Sequence, residues 1–555
     1  MKSRDTLRWL CRSVKKRIGA LILMTLSSAG GAYLSVRFAL GTRSVIDSAV
    51  SGDRDAFFRA ASALAAVIAG IIVLRMLQRH LHDNTEAKLD RDWKRRLLHL
   101  VLHGEYRAVS SYHSGELINR LNNDVRIVDD GLISVLPNLA SMVTRLAAAV
   151  WVLASMEPLF TLLLAAGGAA VVLITSLLRR LIKSLHKRVQ EADGRLSSFL
   201  QETIEKLLLV QAMDVSEEAE RRADRLLEAR FAVQRRRKNI GLGANTCVNI
   251  LCFAAEFAAL VWCAFRLLHG SITFGTFTAI VQLVGQLEGP VVNVSGIIPK
   301  YIAMLASAER LMELDALSRP VVPSADPAAL YADMTALCAE DLSFSYEDEE
   351  LLSHVSFSIP KGSFVAVTGL SGIGKSTLLK LMLGIYAPTS GTLTAAGPDV
   401  PLDRATRRLF AYVPQGNLLF SGTLRDNLLI TRPDATEDEI VHALHVSALD
   451  DVVAQLPQGL ETVLGENAAG LSEGQAQRLS IARAILSGAP VLMLDEVTSA
   501  LDAATERTVL ERIAAMPGCT CIAVTHRPAA LEMAHYNLCF SDTGINLLPG
   551  PVARG

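Results

Sequence analysis

The chain has 555 residues, half of them hydrophobic, and a mean hydropathy of +0.32, so it is too long for one core and unusually apolar for a soluble protein. Its formal net charge of −1 hides an asymmetry, because residues 1–330 carry 41 Lys and Arg against 30 Asp and Glu, whereas residues 331–555 carry 14 against 26. Basic residues that flank apolar runs, without interleaved aromatics, make nucleic-acid binding a poor alternative and favour a membrane domain followed by an acidic cytosolic domain.

The first part of the chain contains six apolar segments, each long enough to cross a bilayer as a helix of about 20 residues. They are residues 18–40, 57–77, 132–156, 158–178, 244–267 and 274–299, and the last is interrupted by polar residues. The long stretches after the second and fourth segments are rich in Arg and Lys. Positive residues favour the cytosolic side, so the pattern predicts a multi-pass protein of the cell membrane with both termini in the cytosol.

The two long cytosolic stretches are themselves predicted to be helical. Residues 196–210 have apolar side chains at helical spacing, and residues 217–230 form a charged helical pattern. At about 1.5 Å per residue, such helices extend tens of ångströms beyond the bilayer. They are expected to end in short turns near residues 114–116 and 213–215, where they could touch a cytosolic domain.

Two charged residues lie inside predicted spans, Arg145 in the third and Glu256 in the fifth. A charge at this depth is costly and usually has a specific role. Either these side chains line a polar cavity for a substrate, or they form an interhelical ion pair or hydrogen bond that fixes the bundle. The sequence leaves both alternatives open.

A domain boundary follows the last span. Residues 318–330 contain Pro320, Pro323 and Pro327, which repeatedly interrupt a helix. We therefore expect a transmembrane domain over residues 1–317, a linker over 318–330 and a second domain over 331–555. Strand-like runs alternate with helical patterns in the second domain, which favours an α/β nucleotide-binding fold.

A glycine-rich loop in the second domain has the strand–GxxxxGK[ST]–helix order of a phosphate-binding loop. Its glycines allow backbone N–H groups to surround phosphate oxygens at a helix N-terminus. Lys375 can reach the β- and γ-phosphates, and the hydroxyl of Ser376 can bind Mg²⁺. The predicted phosphate-binding residues are Gly369, Leu370, Ser371, Gly372, Ile373, Gly374, Lys375, Ser376 and Thr377.

Four further features belong with this loop. A buried-strand pattern ends in Asp495, suited to the Mg²⁺ shell, and Glu496, suited to polarising an attacking water. Gln415 could contact the metal and the water, and His526 follows another strand-like run, where it could reach a γ-phosphate. Residues 471–475 begin a helical pattern and offer a second anion site. Each feature is weak alone, but their shared order argues against coincidence.

This order of motifs resembles that of ATP-binding cassette (ABC) exporters of the half-transporter type, over nearly the whole chain. The resemblance implies an all-α transmembrane six-helix domain with long intracellular helices, followed by an α/β P-loop ATP-binding cassette domain. By this resemblance, Tyr346 stacks on adenine, residues 369–377 form the Walker A loop, and Gln415 is the Q-loop glutamine. The signature contains Ser472, Gly474 and Gln475. Asp495 and Glu496 form the Walker B pair, Asp502 belongs to the D-loop, and His526 is the switch histidine. Residues 462–466 resemble the segment that meets the intracellular helices.

The resemblance further implies ATP and Mg²⁺ as cofactors, with Ser376, Gln415 and Asp495 at the metal and Glu496, His526 and Gln415 in catalysis. Two cassettes are expected to close face to face, each ATP lying between the Walker A loop of one chain and the signature of the other. The expected function is ATP-driven export by alternating access. Alternatives are an importer of siderophore-like compounds built on the exporter fold, and a nucleotide-gated regulator or channel.

Two departures from the family pattern bear on this expectation. Glu473 stands where the family usually has glycine, which leaves a homodimer and a heterodimer equally open. The chain also ends soon after residue 548, without the terminal helix of many relatives, and no peptidase-like extension precedes the first span. The transported substrate is not identified by the sequence.

Overall fold

A computed structural model describes residues 3–317, 324–346, 349–416, 419–465, 470–541 and 544–551, apart from the side chains at positions 3, 170–183, 291–295 and 349. The chain forms two compact units, residues 1–102 with 113–316, and residues 103–112 with 317–555. Of the predicted linker, Pro320 and Pro323 lie outside the described residues, and Pro327 begins a helix of the second unit.

The described part of the first unit is helical. Its helices are α1 (Ser3–Ser13), α2 (Ile18–Ser51), α3 (Arg54–His103), α5 (Ser114–Asn119), α6 (Val125–Met156), α7 (Pro158–Glu205), α8 (Leu207–Ala212), α9 (Ser216–Leu268) and α10 (Phe274–Asp315), while the short α4 (Tyr106–Ser110) falls in the second unit. A 3₁₀ turn at Lys15–Arg17 precedes α2, and a π-helical turn at Arg120–Asp124 joins α5 to α6.

Each of the six predicted spans lies within one helix, namely α2, α3, α6, α7, α9 or α10. Among the described residues, four helical segments are long and apolar enough to cross a membrane: Lys15–Ser51, Arg54–His103, Ser114–Met156 and Ser216–Leu268. Helix α7 contributes a shorter apolar stretch, Pro158–Ala169. In α10, the amide of Gln286 donates to the carbonyl of Ser35 at 3.1 Å, so this interrupting polar residue is bonded to α2.

The helices continue well beyond the predicted spans, as expected. Helix α3 has 50 residues, a length of about 75 Å at 1.5 Å per residue. The first turn lies at residues 111–112, so residues 114–116, predicted to form it, instead begin helix α5, while the second predicted turn contains Asp214, whose φ of +53° lies between α8 and α9. The prediction of long helices outside the apolar spans is therefore confirmed.

Helices α6 and α10 pack closely at a glycine. A Cβ atom on Gly131 of α6 would lie 2.5 Å from Cγ and 2.6 Å from Cβ of Met304 on α10. Seven residues earlier, at the end of the π-helical turn that leads into α6, the buried carboxylate of Asp124 accepts hydrogen bonds from Ser307 at 3.0 Å and from Nε of Arg310 at 2.8 Å, both on α10. Close backbone approach and an ion pair with a buried carboxylate thus join α10 to α6 and to the turn before it.

Replacing Gly131 with Ala should destabilise the transmembrane unit, because the new methyl group overlaps the stem of Met304 and not merely its flexible end. Overpacking of this kind costs about 1–3 kcal/mol. Thermal unfolding of the detergent-purified protein measures the loss. The matched control is Gly194→Ala in α7, where nothing lies within 4 Å of the added atom. Equal stability of the two variants would contradict the proposed close packing.

The second unit has twelve strands among its described residues. They are β1 (Ala336–Tyr346), β2 (Glu349–Pro360), β3 (Phe364–Thr368), β4 (Ser390–Ala396), β5 (Val400–Pro401), β6 (Phe410–Val413), β7 (Gly422–Thr423), β8 (Val463–Leu464), β9 (Val491–Asp495), β10 (Thr520–Val524), β11 (Tyr536–Ser541) and β12 (Gly544–Pro549). Its helices after α4 are α11 (Pro327–Asp333), α12 (Lys375–Met382), α13 (Leu424–Leu429), α14 (Glu437–Val446), α15 (Asp450–Gln455), α16 (Glu473–Leu486), α17 (Ala503–Ala514) and α18 (Pro528–Met533).

The strands form three sheets: an antiparallel sheet in the order β2-β1-β4-β5, a six-stranded sheet in the order β12-β11-β3-β10-β9-β6, and the ribbon β7-β8. In the six-stranded sheet, β11, β3, β10, β9 and β6 are parallel. Strands β9 and β10 are buried throughout, as their continuous apolar sequences predict. The carboxyl ends of β3, β6, β9 and β10 therefore meet at one edge of the sheet, where ligands bind in open α/β folds.

Residues 103–112, which precede α5, pack against residues 317–555 and so form part of the second unit. The carbonyl of His103 accepts a hydrogen bond from Nη1 of Arg404 at 2.7 Å, and the ring of Tyr106 meets that of Tyr386 edge-on at 5.9 Å. These contacts explain why the segment groups with residues 317–555.

Candidate nucleotide-binding site

The loop from Gly369 to Gly374 joins the buried strand β3 to helix α12. Gly369, Gly372 and Gly374 all have positive φ, at +143°, +84° and +105°. A Cβ atom on Gly369 would lie 2.6 Å from Cβ of Phe540, so this position has no room for a side chain. The backbone can consequently turn tightly into the start of α12, as the motif predicts.

Lys375, the first residue of α12, is held by three acceptors. Its ammonium group donates to the carbonyl oxygens of Gly369 at 2.6 Å and Leu370 at 3.2 Å, and to Nε2 of His526 at 2.9 Å. Burial lowers the pKa of Lys375, and the nearby carboxylates of Glu496 and Asp495 partly oppose this shift. The predicted phosphate ligand and the predicted switch histidine are thus in direct contact.

Asp495 ends β9 and is almost completely buried. Its two carboxylate oxygens accept hydrogen bonds from the hydroxyl of Ser376 and the phenol of Tyr412, both at 2.9 Å. Burial raises the pKa of Asp495, while these two hydrogen bonds act in the opposite direction. The same burial, together with the Asp495 carboxylate, raises the pKa of Tyr412, which therefore stays a hydrogen-bond donor.

Glu496 follows directly and adopts an unusual backbone conformation for a residue with a side chain, with φ at +52°. A non-glycine residue in this region stores about 1–3 kcal/mol of strain. Its N–H donates to the carbonyl of Val524 at 3.1 Å, and its Oε2 accepts a hydrogen bond from the amide of Gln415 at 2.8 Å. The strained turn aims Glu496 at the sheet edge, beside the predicted Q-loop residue.

A hydroxyl, a carboxylate and an amide oxygen are the donors that Mg²⁺ prefers, and Ser376, Asp495 and Gln415 supply them near the phosphate loop. Within the described ranges, no group of three or more His, Cys, Asp or Glu residues could hold a metal. A site with few protein ligands suits Mg²⁺, which keeps water and phosphate oxygens in its shell.

Tyr346 lies beside the start of α12, with its phenol oxygen 3.4 Å from Oγ1 of Thr377. Its ring also meets Phe344 at 4.9 Å and Tyr386 at 5.4 Å, both edge-on. This places an aromatic side chain at the entrance of the phosphate loop, the position that an adenine-stacking residue requires. The stacking role itself stays a prediction.

Comparison with known proteins identifies both halves of the chain. The family model "ABC transporter" matches residues 352–499, and "ABC transporter transmembrane region" matches residues 21–291. The chain is 31% identical over 482 residues to the ATP-dependent lipid A-core flippase of Chromobacterium violaceum, covering 84% of this chain and 81% of that protein.

The chain belongs to the ABC transporter family.

A second relative is a probable ABC transporter ATP-binding/permease protein of Haemophilus influenzae, 28% identical over 407 residues, or 72% of this chain and 73% of that protein. The fold of this ABC transporter also matches a solved bacterial Atm1-family ABC exporter with ATP bound, with a TM-score of 0.79, 22% identity and coverage of 98% of this chain and 96% of that one. The predicted family and fold class are confirmed. The chain is an exporter-type, multi-pass membrane protein that couples ATP hydrolysis to transport.

The predicted signature of this ABC transporter begins α16. Ser472 caps the helix by accepting from the N–H of Gln475 at 3.3 Å, and Gln475 bonds back to the N–H of Ser472 at 2.9 Å. A Cβ on Gly474 would lie 2.9 Å from the carbonyl oxygen of Ala500, so a close approach to the D-loop requires glycine there. Glu473 is exposed in the first helical turn, where the helix dipole stabilises a negative charge.

Asp502, the predicted D-loop residue, makes contacts that the sequence did not specify. The carboxylate of Asp502 caps α17 by accepting from the N–H groups of Ala504 at 3.1 Å and Thr505 at 2.9 Å, and these backbone bonds lower its pKa. Glu466 lies outside the described residues. The preceding Val463 and Leu464 form β8, which pairs with β7.

An arginine clamp was missed from the sequence. Arg527, next to His526, donates to the carbonyl oxygens of Ser499 at 2.6 Å and Leu501 at 2.7 Å, and to the buried carboxylate of Glu506 at 3.0 Å. Thr498 donates to the other oxygen of Glu506 at 2.8 Å. The loop after β10 is thereby bonded to the D-loop, and a motif pattern cannot reveal such contacts because they join distant segments.

Replacing Arg527 with Met should lower the kcat of ATP hydrolysis by about tenfold or more, because the D-loop carbonyls and the buried Glu506 lose their donor. ATP binding should stay near normal, since no contact of Arg527 involves the phosphate loop. Steady-state ATPase assays separate kcat from KM, and Arg527→Lys should recover part of kcat. The control is Arg507→Met, whose partner Glu532 is exposed. An unchanged kcat in Arg527→Met would refute the positioning role.

Proposed function

We propose that this chain is one half of a dimeric ATP-driven exporter. The proposal rests on two pairs of hydrogen-bonded side chains at one edge of the six-stranded sheet: Ser376 with Asp495, and Gln415 with Glu496. The first pair would hold Mg²⁺ on the ATP phosphates. The second would place a water molecule for in-line attack, with Glu496 as the base that polarises it. Bound Mg²⁺ would supply charge neutralisation at the β- and γ-phosphates.

The remaining assignments follow from their positions. Lys375 and the N–H groups of residues 369–377 would bind the phosphates, and His526, bonded to Lys375, would contact the γ-phosphate. Tyr346 would stack on the adenine. Glu496 and His526 lie at the ends of two neighbouring parallel strands, from which both would reach the reacting phosphate, so little rearrangement would be needed when ATP binds.

The dimeric arrangement is supported by the signature. Among the described residues, the hydrogen bonds of Ser472 and Gln475 remain within the start of α16, which leaves the other N–H groups of that helix end available to an anion. A second copy or a related half-transporter would supply the ATP that this surface binds. Glu473 leaves the choice between homodimer and heterodimer open.

The cassette and both termini would face the cytosol, because Arg and Lys are concentrated in the stretches beyond the spans. Residues 103–112 pack on the cassette and continue directly into α3 and α5. Closure of two cassettes could therefore act through this segment on the long helices. The relatives named as a lipid flippase suggest that the transported compound is an amphiphile.

Reconstituted proteoliposomes test this function. ATP added outside engages the molecules whose cassettes face outward, so an exporter should move a fluorescent short-chain phospholipid to the lumenal leaflet. Glu496→Gln provides the inactive control. Movement from lumen to exterior under the same conditions would support the importer alternative. An ATP-dependent ion current that persists in Glu496→Gln would support the regulator or channel.

A further inference from the structure

An apolar cavity lies within the first unit, between helices α6, α7, α9 and α10. Its volume is about 600 Å³. Most of its wall is aliphatic or aromatic, and Phe160 and Trp262 stack in it with ring centroids 6.1 Å apart. This volume falls within the range of sites for drug-sized ligands, about 300–1,000 Å³.

Two carboxylates interrupt this apolar wall, Glu256 on α9 and Glu288 on α10. A Cβ atom on Gly285 would lie 3.1 Å from Oε1 of Glu256, so the carboxylate rests against α10 one turn before Glu288. Cys252, one turn before Glu256 on α9, lines the same cavity. The two acidic groups therefore converge on one part of the wall, although they come from different helices.

Among the described residues that line this cavity there is no positive side chain, and neither carboxylate has an ion pair or hydrogen bond with any described residue. Arg145 lines a different cavity, together with Lys300, and does not pair with Glu256. Of the two alternatives that the sequence left open, an ion pair between these two residues is thus absent from the described structure. Carboxylates inside membrane-spanning helices are costly unless a counter-charge meets them.

We infer that this cavity binds a hydrophobic organic cation, with its apolar body against the wall and its positive centre between Glu256 and Glu288. The inference rests on the proposed function, because the bound cation would be the transported compound. Stacked aromatic rings add affinity for such a cation. A metal ion is a poor alternative, since no group of three or more possible metal-binding side chains occurs in the described ranges.

Tetraphenylphosphonium and tetraphenylborate test the inference, because they share shape and apolarity but carry opposite charges. Equilibrium binding to the purified full-length protein should favour the cation at least tenfold. In the double variant Glu256→Gln with Glu288→Gln, the affinity for the cation should fall at least tenfold and that for the anion should not fall. Glu217→Gln, on the cytosolic part of α9, is the matched control and should keep the wild-type preference.

Equal binding of the two ions by the wild-type protein would overturn the inference without requiring any variant to fold. A double variant that is monodisperse and still prefers the cation would also overturn the inference. In either case, intact Mg²⁺-dependent ATP hydrolysis and phospholipid movement would leave the proposed function standing. If the wild-type protein showed neither Mg²⁺-dependent ATP hydrolysis nor phospholipid movement, that result would instead contradict the proposed function.

Discussion

Replacing Glu496 with Gln is expected to stop ATP turnover and leave ATP binding intact. The amide keeps the size of the side chain and can still pair with Gln415, but it cannot polarise the attacking water. Loss of a general base typically costs about 10²–10⁴-fold in rate. Phosphate release from the detergent-purified or reconstituted protein measures kcat, and equilibrium binding of a fluorescent ATP analogue measures affinity.

Glu511→Gln is the matched control for this experiment, because Glu511 is an exposed glutamate on α17 of the same unit. It should retain wild-type turnover. Near-normal phosphate release from Glu496→Gln would refute the assignment of the base. Loss of ATP binding in that variant would instead show that the strained turn at Glu496 supports the shape of the nucleotide site.

Replacing Lys375 with Met is expected to abolish ATP binding at millimolar nucleotide or weaken it at least ~100-fold, because a buried charge-assisted contact to the phosphates is lost. The ammonium group already lies between the loop carbonyls and His526, so little reorganisation precedes binding. Burial lowers the pKa of Lys375, and the negative phosphates would act in the opposite direction by stabilising its charged form.

Lys380→Met, in the last turn of α12, is the corresponding control and should bind ATP normally. Thermal unfolding with and without Mg²⁺-ATP provides a second measurement, because nucleotide stabilises only a protein that binds it. The wild-type protein and Lys380→Met should show the shift and Lys375→Met should not. A normal nucleotide-dependent shift in Lys375→Met would contradict the assigned phosphate contact.

The phosphate loop and the six spans could be predicted because their signals are local. The loop depends on glycines at fixed spacing between a strand and a helix, and each span depends on hydropathy within about 20 consecutive residues. Asp495, Glu496, Gln415 and His526 could be proposed for the same reason, since each lies at or shortly after the end of a strand-like run. That they meet at one edge follows from the parallel order β3-β10-β9-β6.

Contacts between distant segments could not be predicted. Arg527 reaches a glutamate 21 positions away, and Tyr412 bonds to Asp495 across 83 positions. The sequence predicts that a turn near residues 114–116 could touch a cytosolic domain, but not that residues 103–112 belong with the cassette, because that depends on Arg404 and Tyr386.

The sequence by itself therefore determined the family and the order of the two halves, and it predicted the residues of the nucleotide site. Tertiary structure alone decided where each side chain lies: that Asp502 caps α17, that Glu256 and Glu288 line one cavity while Arg145 lines another, and that the D-loop is bonded to the segment after β10. The physical reason is that motifs and hydropathy act over a few neighbouring residues, whereas packing selects partners through the whole fold.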